Sequence, residues 1–217
     1  MDEEERYGIL RQEMVENQIA ARGIRNPRVL AAMREVPRHL FVPERYRSES
    51  YADSPLPIGE GQTISQPFIV AFMTELLSPG PEDTILEIGA GSGYQAAILS
   101  RLARSVISIE RISEVAEMAR RNLAAVGAGN VSVMVGDGTL GWKENAPYDG
   151  ILVTAAGPLV PPALLEQLAE GGRLVVPVGD RDVQDLVRMT RKNGRIGEER
   201  YGGVRFVPLI GKQGWGG

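Results

Sequence analysis

The sequence predicts an α/β fold: a doubly wound, mostly parallel seven-stranded sheet with antiparallel C-terminal strands and an N-terminal helical extension. Three observations predict it. An apolar strand pattern at 84–88 runs into glycines at alternate positions, Gly89, Gly91 and Gly93, and a helical pattern at 94–104 follows directly. From residue 84 onward, strand and helix patterns alternate. Only six residues separate the strand patterns at 173–178 and 185–191. That is too short for the crossover helix a parallel neighbour needs, so these two strands should form an antiparallel hairpin.

The elements follow in order. Apolar residues at 7, 10, 14, 15 and 19 give a helix-like spacing over 5–22. Asn26-Pro27 reads as an N-cap and first helical position, opening a helix to about Val36. Residues 37–64 read as irregular, because Pro37, Pro43, Pro55 and Pro57 interrupt any regular element. A loop of that length in a compact protein usually carries function. A helix at 67–77 and a turn at 78–83 lead into the first strand. Strands are expected at 84–88, 105–109, 131–135, 149–154 and 173–178, with helices at 94–104, 112–126 and 161–169. Gly171-Gly172 fits the end of the last helix. A final strand at about 203–209 should lie beside the 185–191 strand, and the charged stretch 180–200 reads as a solvated edge. All 217 residues are expected to form one domain, with 1–78 supplying helices and an active-site loop and 79–217 the ligand-binding core.

Composition narrows the chemistry. A net charge of −4 argues against nucleic-acid binding through a basic surface. With no cysteine and His39 as the sole histidine, disulfides, cysteine nucleophiles and His-based metal clusters are excluded, so no metal is expected. The acidic start MDEEERYGIL lacks the apolar core of a signal peptide, and no apolar run reaches membrane-spanning length. A cytoplasmic enzyme with no membrane or nucleic-acid partner is the expectation. His39 reads as structural.

The glycine loop is the richest signal. A strand turning sharply into a helix brings backbone N–H groups to the strand's carboxyl end, and glycine lets a ligand approach the backbone. The next strand ends at Glu110, about 20 residues on, where a carboxylate suits a ribose diol. Asp137-Gly138, after the third strand, should reach the same edge, the aspartate accepting from an adenine amino group. A plain Asp-Gly turn is the alternative there. The loop reads E-x-G-x-G-x-G, with Glu87 two residues before the first glycine, instead of the dinucleotide pattern G-x-G-x-x-G. A carboxylate there would repel a pyrophosphate and attract an ammonium. This resembles the class I S-adenosylmethionine-dependent methyltransferases; a dinucleotide site and a generic turn remain the alternatives. The strand end VTAAG at 153–157 lacks the Asn/Asp-Pro-Pro-aromatic motif of enzymes that methylate planar amino nitrogens. An acceptor that is already nucleophilic fits better.

The segments VPRHLFVPERY (36–46), PIGEGQTISQP (57–67), ILEIGAGSGYQAAIL (85–99), GDGTLGW (136–142), APYDGILVTAA (146–156) and VRFVPLIG (204–211) closely resemble the protein-L-isoaspartate O-methyltransferase family. The resemblance runs from about residue 10 to Trp215, and Thr63-Ile64-Ser65 is its most specific part. Phe68 departs from it, since many members have His or Tyr there. The resemblance implies a Rossmann-like core and methyl transfer from S-adenosyl-L-methionine, leaving S-adenosyl-L-homocysteine, to the free α-carboxyl of L-isoaspartyl residues. The ester then closes to a succinimide that reopens partly to aspartate. Partners would be isoaspartyl-containing proteins and peptides, and a monomer is expected. The resemblance puts Ser65 in the catalytic role and Thr63, Ile64, Ser65 and Val204 at the substrate. Around the cofactor it puts Ile58, Gly59, Gly61, Gln62, Glu87, Gly89, Gly91, Gly93, Glu110, Arg111, Asp137, Gly138 and Thr154. Read without it, Ser65 is an N-cap for the helix at Pro67, and the two roles are compatible. Arg38 and Arg205 read equally well as substrate-carboxylate partners or as surface residues. A methyltransferase for another carboxylate or hydroxyl, an inactive cofactor-binding adaptor and a nicotinamide-dependent oxidoreductase are the competing functions.

Overall fold

The structure is a computed structural model that describes residues 2–216. Helix α1 (Glu3–Glu13) opens on a reciprocal cap in which the Asp2 carboxylate accepts from the Glu5 N–H and the Glu5 carboxylate from the Asp2 N–H. The predicted 5–22 helix is not uniform. After Glu13 it widens into a π-helical turn, Met14–Ile19, then tightens into a 3₁₀ turn, Ala20–Arg22, and ends at Gly23 with φ 103°. Helix α2 (Pro27–Glu35) starts as the sequence predicts, the Asn26 side chain accepting from the Arg28 N–H at 3.0 Å.

The region 37–64 is more ordered than four prolines suggest. It holds two 3₁₀ turns, Arg38–Phe41 and Glu44–Glu49, and a small antiparallel hairpin, β1 (Leu56–Gly59) with β2 (Gln62–Ile64). Its reversal uses left-handed backbone at Gly59, Glu60 and Gly61. Helix α3 (Pro67–Leu77) follows.

The core then alternates as expected: β3 (Thr84–Ile88), α4 (Tyr94–Ser100), β4 (Ser105–Glu110), α5 (Ser113–Ala125), β5 (Val131–Val135), β6 (Tyr148–Val153), α6 (Pro162–Glu166), β7 (Leu168–Gly179), β8 (Gln184–Lys192) and β9 (Arg195–Val204). The seven strands order as β5-β4-β3-β6-β7-β8-β9. The pairs from β5 through β7 are parallel, whereas β7–β8 and β8–β9 are antiparallel. The short 180–183 connection is held by the Asp180 carboxylate, which accepts from the Asp182 and Val183 N–H groups, both at 2.8 Å.

Four expectations are corrected. Helix 161–169 ends at Glu166, because residues from Leu168 join the sheet and Tyr148 N–H bonds the Gln167 carbonyl at 2.8 Å. Gly171-Gly172 therefore lies inside β7 instead of ending a helix. The 94–104 helix stops at Ser100. The last strand is β9 at 195–204, not 203–209; residues 205–210 instead run back along the sheet's carboxyl edge, touching Ala156 through an isolated bridge at Pro208.

Alternate strand residues feed two cores. Ile85 packs with α3, α4 and the N-terminal helices, whereas Leu86 and Ile88 pack with Leu164 under α6. Leu86 is fully buried. Truncating it to alanine should cost about 2–5 kcal/mol, enough to endanger a domain of ordinary stability.

Candidate active site

The site forms where the strand order reverses, between β3 and β6, at the carboxyl edge of the sheet. The loop after β3 is tied to both neighbouring strands. Gly89 N–H bonds the Ile109 carbonyl at 2.8 Å, and the Thr154 hydroxyl donates to the Gly89 carbonyl at 2.6 Å. Glycine is required at Gly89: φ is 96°, and a Cβ would sit 2.3 Å from the Thr154 hydroxyl oxygen. At Gly91, φ 53°, a Cβ would meet only the Ile58 Cδ1 at 3.6 Å, so it would point into open space above the loop.

That space is a cavity of about 290 Å³. Gly89, Gly91, Glu110, Arg111, Gly138 and Thr154 line it, with Gly61, Gln62, Thr63, Ile64 and Ser65 of the hairpin on the opposite side. Glu110 is only 7% exposed. Its carboxylate accepts from Gly91 N–H at 3.1 Å, Arg111 N–H at 2.9 Å and Ile112 N–H at 3.1 Å. The carboxylate thus fixes the glycine loop and faces the cavity together.

Five predicted cofactor residues do not line it: Ile58, Gly59, Glu87, Gly93 and Asp137. Gly93 is the N-cap of α4, where a Cβ would press on Leu123 at 3.1 Å, so it serves helix packing. Ile58 reaches Gly91 only with its Cδ1, 3.6 Å from where a Cβ would stand, and Gly59 shapes the hairpin reversal. Asp137 is absent from the wall, and its carboxylate is taken up elsewhere. Thr139 donates to it from its N–H and its hydroxyl, at 3.0 and 2.6 Å, and Lys212 N–H at 2.9 Å. Partial burial would raise the Asp137 carboxyl, but these donors prevail and hold it below the usual range. These bonds tie the Gly138 turn to the C-terminal segment, which contributes Val207, Pro208, Leu209 and Ile210 to the wall.

Glu87 is fully buried in β3, one residue before Ile88, which lines the cavity. The Ser108 hydroxyl donates to its Oε2, while Oε1 has no partner. Burial pushes its carboxyl up to about 8, against the lowering effect of Ser108.

A second cavity, of about 760 Å³, adjoins the first. Phe68, Phe72, Tyr201, Val204 and Phe206 give it an apolar floor, and Arg22, Arg205 and Asp182 lie at its rim. Arg22 stacks over Phe68 at 3.6 Å and pairs with Asp53 at 2.8 Å. Thr63, Ser65, Thr154 and Val207 line both cavities, so they form the passage between them.

Ser65 is not an N-cap. Gln66 holds that position, and no side chain caps α3. Arg38, read as a substrate partner or a surface residue, is not at the surface. It is fully buried, donating from Nε to the Ser50 carbonyl at 2.7 Å and from an Nη to the Ser65 carbonyl at 2.8 Å. His39 is structural as expected: buried, stacked on Tyr7 at 4.1 Å and hydrogen-bonded to the Tyr51 hydroxyl at 2.8 Å.

The family model for protein-L-isoaspartate(D-aspartate) O-methyltransferase matches residues 10–214. The chain belongs to this family. A protein-L-isoaspartate O-methyltransferase of Methanoregula boonei is 68% identical over 205 residues, covering 94% of each chain. A solved protein-L-isoaspartate O-methyltransferase superposes with a TM-score of 0.84 at 31% identity, covering 94% of this chain and 67% of that one. A family structure from Plasmodium falciparum, a complex with S-adenosyl-L-homocysteine, gives a TM-score of 0.82 at 26% identity, covering 92% of this chain and 98% of that one. Among the described residues, no cluster of three or more His, Cys, Asp or Glu could hold a metal, and no helix is long and apolar enough to cross a membrane.

Sequence reasoning missed several wall residues. Pro208, Leu209 and Ile210 lay inside the VRFVPLIG segment, which carried the signal. Ile112 and Tyr201 had none that periodicity could expose.

Proposed function

We propose that this chain transfers a methyl group from S-adenosyl-L-methionine to the free α-carboxylate of L-isoaspartyl residues in proteins and peptides, initiating their repair through a succinimide. The observation that carries the reading is the passage. Ser65, Thr63 and Thr154 face both a cavity at the glycine loop and an apolar cleft open enough for peptide.

The first cavity suits this donor. Gly89, Gly91 and Gly138 line it without side chains of their own, Glu110 offers a carboxylate to a diol, and the unpartnered Glu87 Oε1 lies behind the loop, ready to balance a cation. When bound, S-adenosylmethionine supplies a methyl group on a sulfonium. The chain's own residues have little proton chemistry to do. An acceptor carboxylate has a pKa near 4 and is ionised at neutral pH, so no general base is needed. Positive and negative charge are both lost in the transfer, which favours a dry, aligned site over a strongly charged one. Alignment can be worth about 7–11 kcal/mol in favourable cases. The Ser65 hydroxyl, which caps no helix and has no partner of its own among the described residues, is free to donate to the carboxylate and hold it in line. Thr63 stands beside it. Thr154 is committed to the Ile88 and Gly89 carbonyls, so it shapes the passage.

In this reading residues 1–78 supply the N-terminal helices and active-site loop, and 79–217 the donor-binding core, of one methyltransferase unit. The enzyme is monomeric and cytoplasmic, its partners are damaged proteins, and neither nucleic acid nor membrane takes part. Val204 belongs to the peptide cleft. Ile58, Gly59, Gly61, Gln62 and Arg111 shape the donor cavity, and Asp137 acts through Gly138 and the C-terminal segment.

The test is product chemistry. The α-carboxyl methyl ester should form first. Attack by the neighbouring backbone amide nitrogen on the ester carbonyl should then expel methanol and leave a succinimide. A stable methylated product that releases no methanol would point to a different acceptor.

A further inference from the structure

Arg38 is a buried cation without an anion. Its guanidinium is fully buried, and no carboxylate lies within ion-pair distance among the described residues. Asp53, whose charge reaches it, is paired with Arg22. Two backbone carbonyls, Ser50 and Ser65, take its Nε and one Nη, the Tyr94 ring stacks 4.9 Å away, and the other Nη has no partner. An uncompensated buried charge is costly, and an apolar side chain would fill the same space more cheaply. The arginine is held where its fork joins three pieces of chain: the 3₁₀ segment ending at Ser50, the passage residue Ser65, and Tyr94 in the donor-cavity wall.

We propose that Arg38 is a positioning residue for the acceptor carboxylate: its fork fixes the Ser65 backbone, and so the Ser65 hydroxyl, while its unbalanced positive charge favours an anion at the passage. The inference rests on the isoaspartyl reading above. The charge balance supports it. The substrate brings one negative charge to a passage whose own residues Thr63, Ser65, Thr154 and Val207 carry no cation, so that before transfer only the donor's sulfonium would otherwise face it. Arg38 supplies the countercharge from behind the wall, where it cannot form a contact ion pair that would hold the carboxylate out of line. A planar fork donating to two carbonyls also resists rotation in a way an ammonium does not.

The experiment compares wild type, Arg38→Lys and Arg38→Met on an isoaspartyl peptide, with S-adenosylhomocysteine affinity as the control for the donor cavity. Arg38→Met should raise KM for the peptide about tenfold or more, because the countercharge is gone. It should also lower kcat, since misplacing an aligning group can cost up to about a hundredfold. Arg38→Lys keeps the charge but loses the fork, so KM should stay near wild type while kcat falls. Both variants should bind S-adenosylhomocysteine within about twofold of wild type. Equal KM values for Arg38→Met and Arg38→Lys would overturn the charge role, and unchanged kcat in both would overturn the fork role. If Arg38→Met does not fold, the wild-type Arg38 Nε–H resonance gives the answer: it should shift on saturation with the isoaspartyl peptide and stay put with the aspartyl twin. No shift overturns the proposal. Wild type that methylates no isoaspartyl peptide would instead sink the parent reading.

Discussion

Replacing Glu110 with glutamine changes one oxygen to an amide and leaves the shape alone. Glu110 Oε1 takes two backbone donors, Arg111 N–H and Ile112 N–H, and Oε2 takes one, Gly91 N–H. The amide should keep its oxygen on the two-donor side, so its NH₂ faces the Gly91 N–H. One bond to a charged acceptor is lost, worth about 1.5–3 kcal/mol, and two donors are left opposed. At 7% exposure, solvent gives little relief. Part of that loss falls on the glycine loop and should appear as a lower melting temperature in the ligand-free protein. The rest falls on the ligand, whose diol loses its charged acceptor. Affinity for S-adenosylhomocysteine should drop by roughly 1–3 kcal/mol, about five- to 150-fold. Calorimetric titration measures it directly. Repeating the titration with the 2′-deoxy ligand isolates the contact, since removing the hydroxyl should hurt wild type and hardly affect Glu110→Gln. Equal affinities for wild type and variant, or equal penalties for the deoxy ligand in both, would refute the assignment of Glu110 to the ribose.

Ser65→Ala should cut turnover on an isoaspartyl peptide while leaving S-adenosylhomocysteine affinity unchanged; because Ser65 caps no helix, stability should move by no more than about 0.5 kcal/mol. Gly91→Val should abolish donor binding, which equilibrium titration reads, since its left-handed φ of 53° strains any side chain and the Cβ enters the cavity. Asp137 has a lowered carboxyl pKa in the fold, so its contribution is present above the unfolded value of 3.8 and is lost as pH falls through the folded one. The stability gap between wild type and Asp137→Asn should therefore be full at neutral pH and close in acid, as melts across that range will report. Glu87 shifts the other way: held up to about 8, it is largely protonated at neutral pH, and its contribution weakens as pH rises from 4.5 through 8. An ammonium arriving beside it should expel that proton, so calorimetry at pH 7 in buffers of different ionisation enthalpy should register proton release in wild type and none in Glu87→Gln.

Some of this was legible in the sequence and some was not. The core strands read cleanly because Ile85, Leu86, Ile88, Val106 and Ile109 are buried on both faces of a parallel sheet, which leaves continuous apolar runs. The β7–β8 hairpin was legible from chain length alone. β9 was misplaced because Arg195–Val204 is an edge strand, exposed along most of its length, with no apolar alternation to find. Its signal was the turn: Asn193-Gly194, φ 52° and 70°, between two charged flanks. The β1–β2 hairpin hid among prolines in the same way, with Gly59 and Gly61 as its mark. Leu164, Leu165 and Leu168 carry helical spacing, but sheet pairing at Leu168 overrode it. In the site, Glu110 and the glycines were found because their chemistry is local to one loop. Arg38 was named, but its buried position was not legible, because arginine is ordinarily a surface residue and its two acceptors, Ser50 and Ser65, lie 12 and 27 residues away. The tie between Asp137 and Lys212 was not legible, since it spans 75 residues that no local pattern connects.

The most direct test of the account is methyl transfer to two peptides of identical composition, one carrying an isoaspartyl link and the other a normal aspartyl residue. Both present one carboxylate of the same charge. The isoaspartyl form, however, carries its carboxyl on the α-carbon, one methylene closer to the backbone. If the passage at Ser65 aligns the acceptor by geometry, the isoaspartyl peptide should be methylated and release methanol, while its twin stays essentially unmodified. Equal methylation of both peptides, or of neither, would contradict the account.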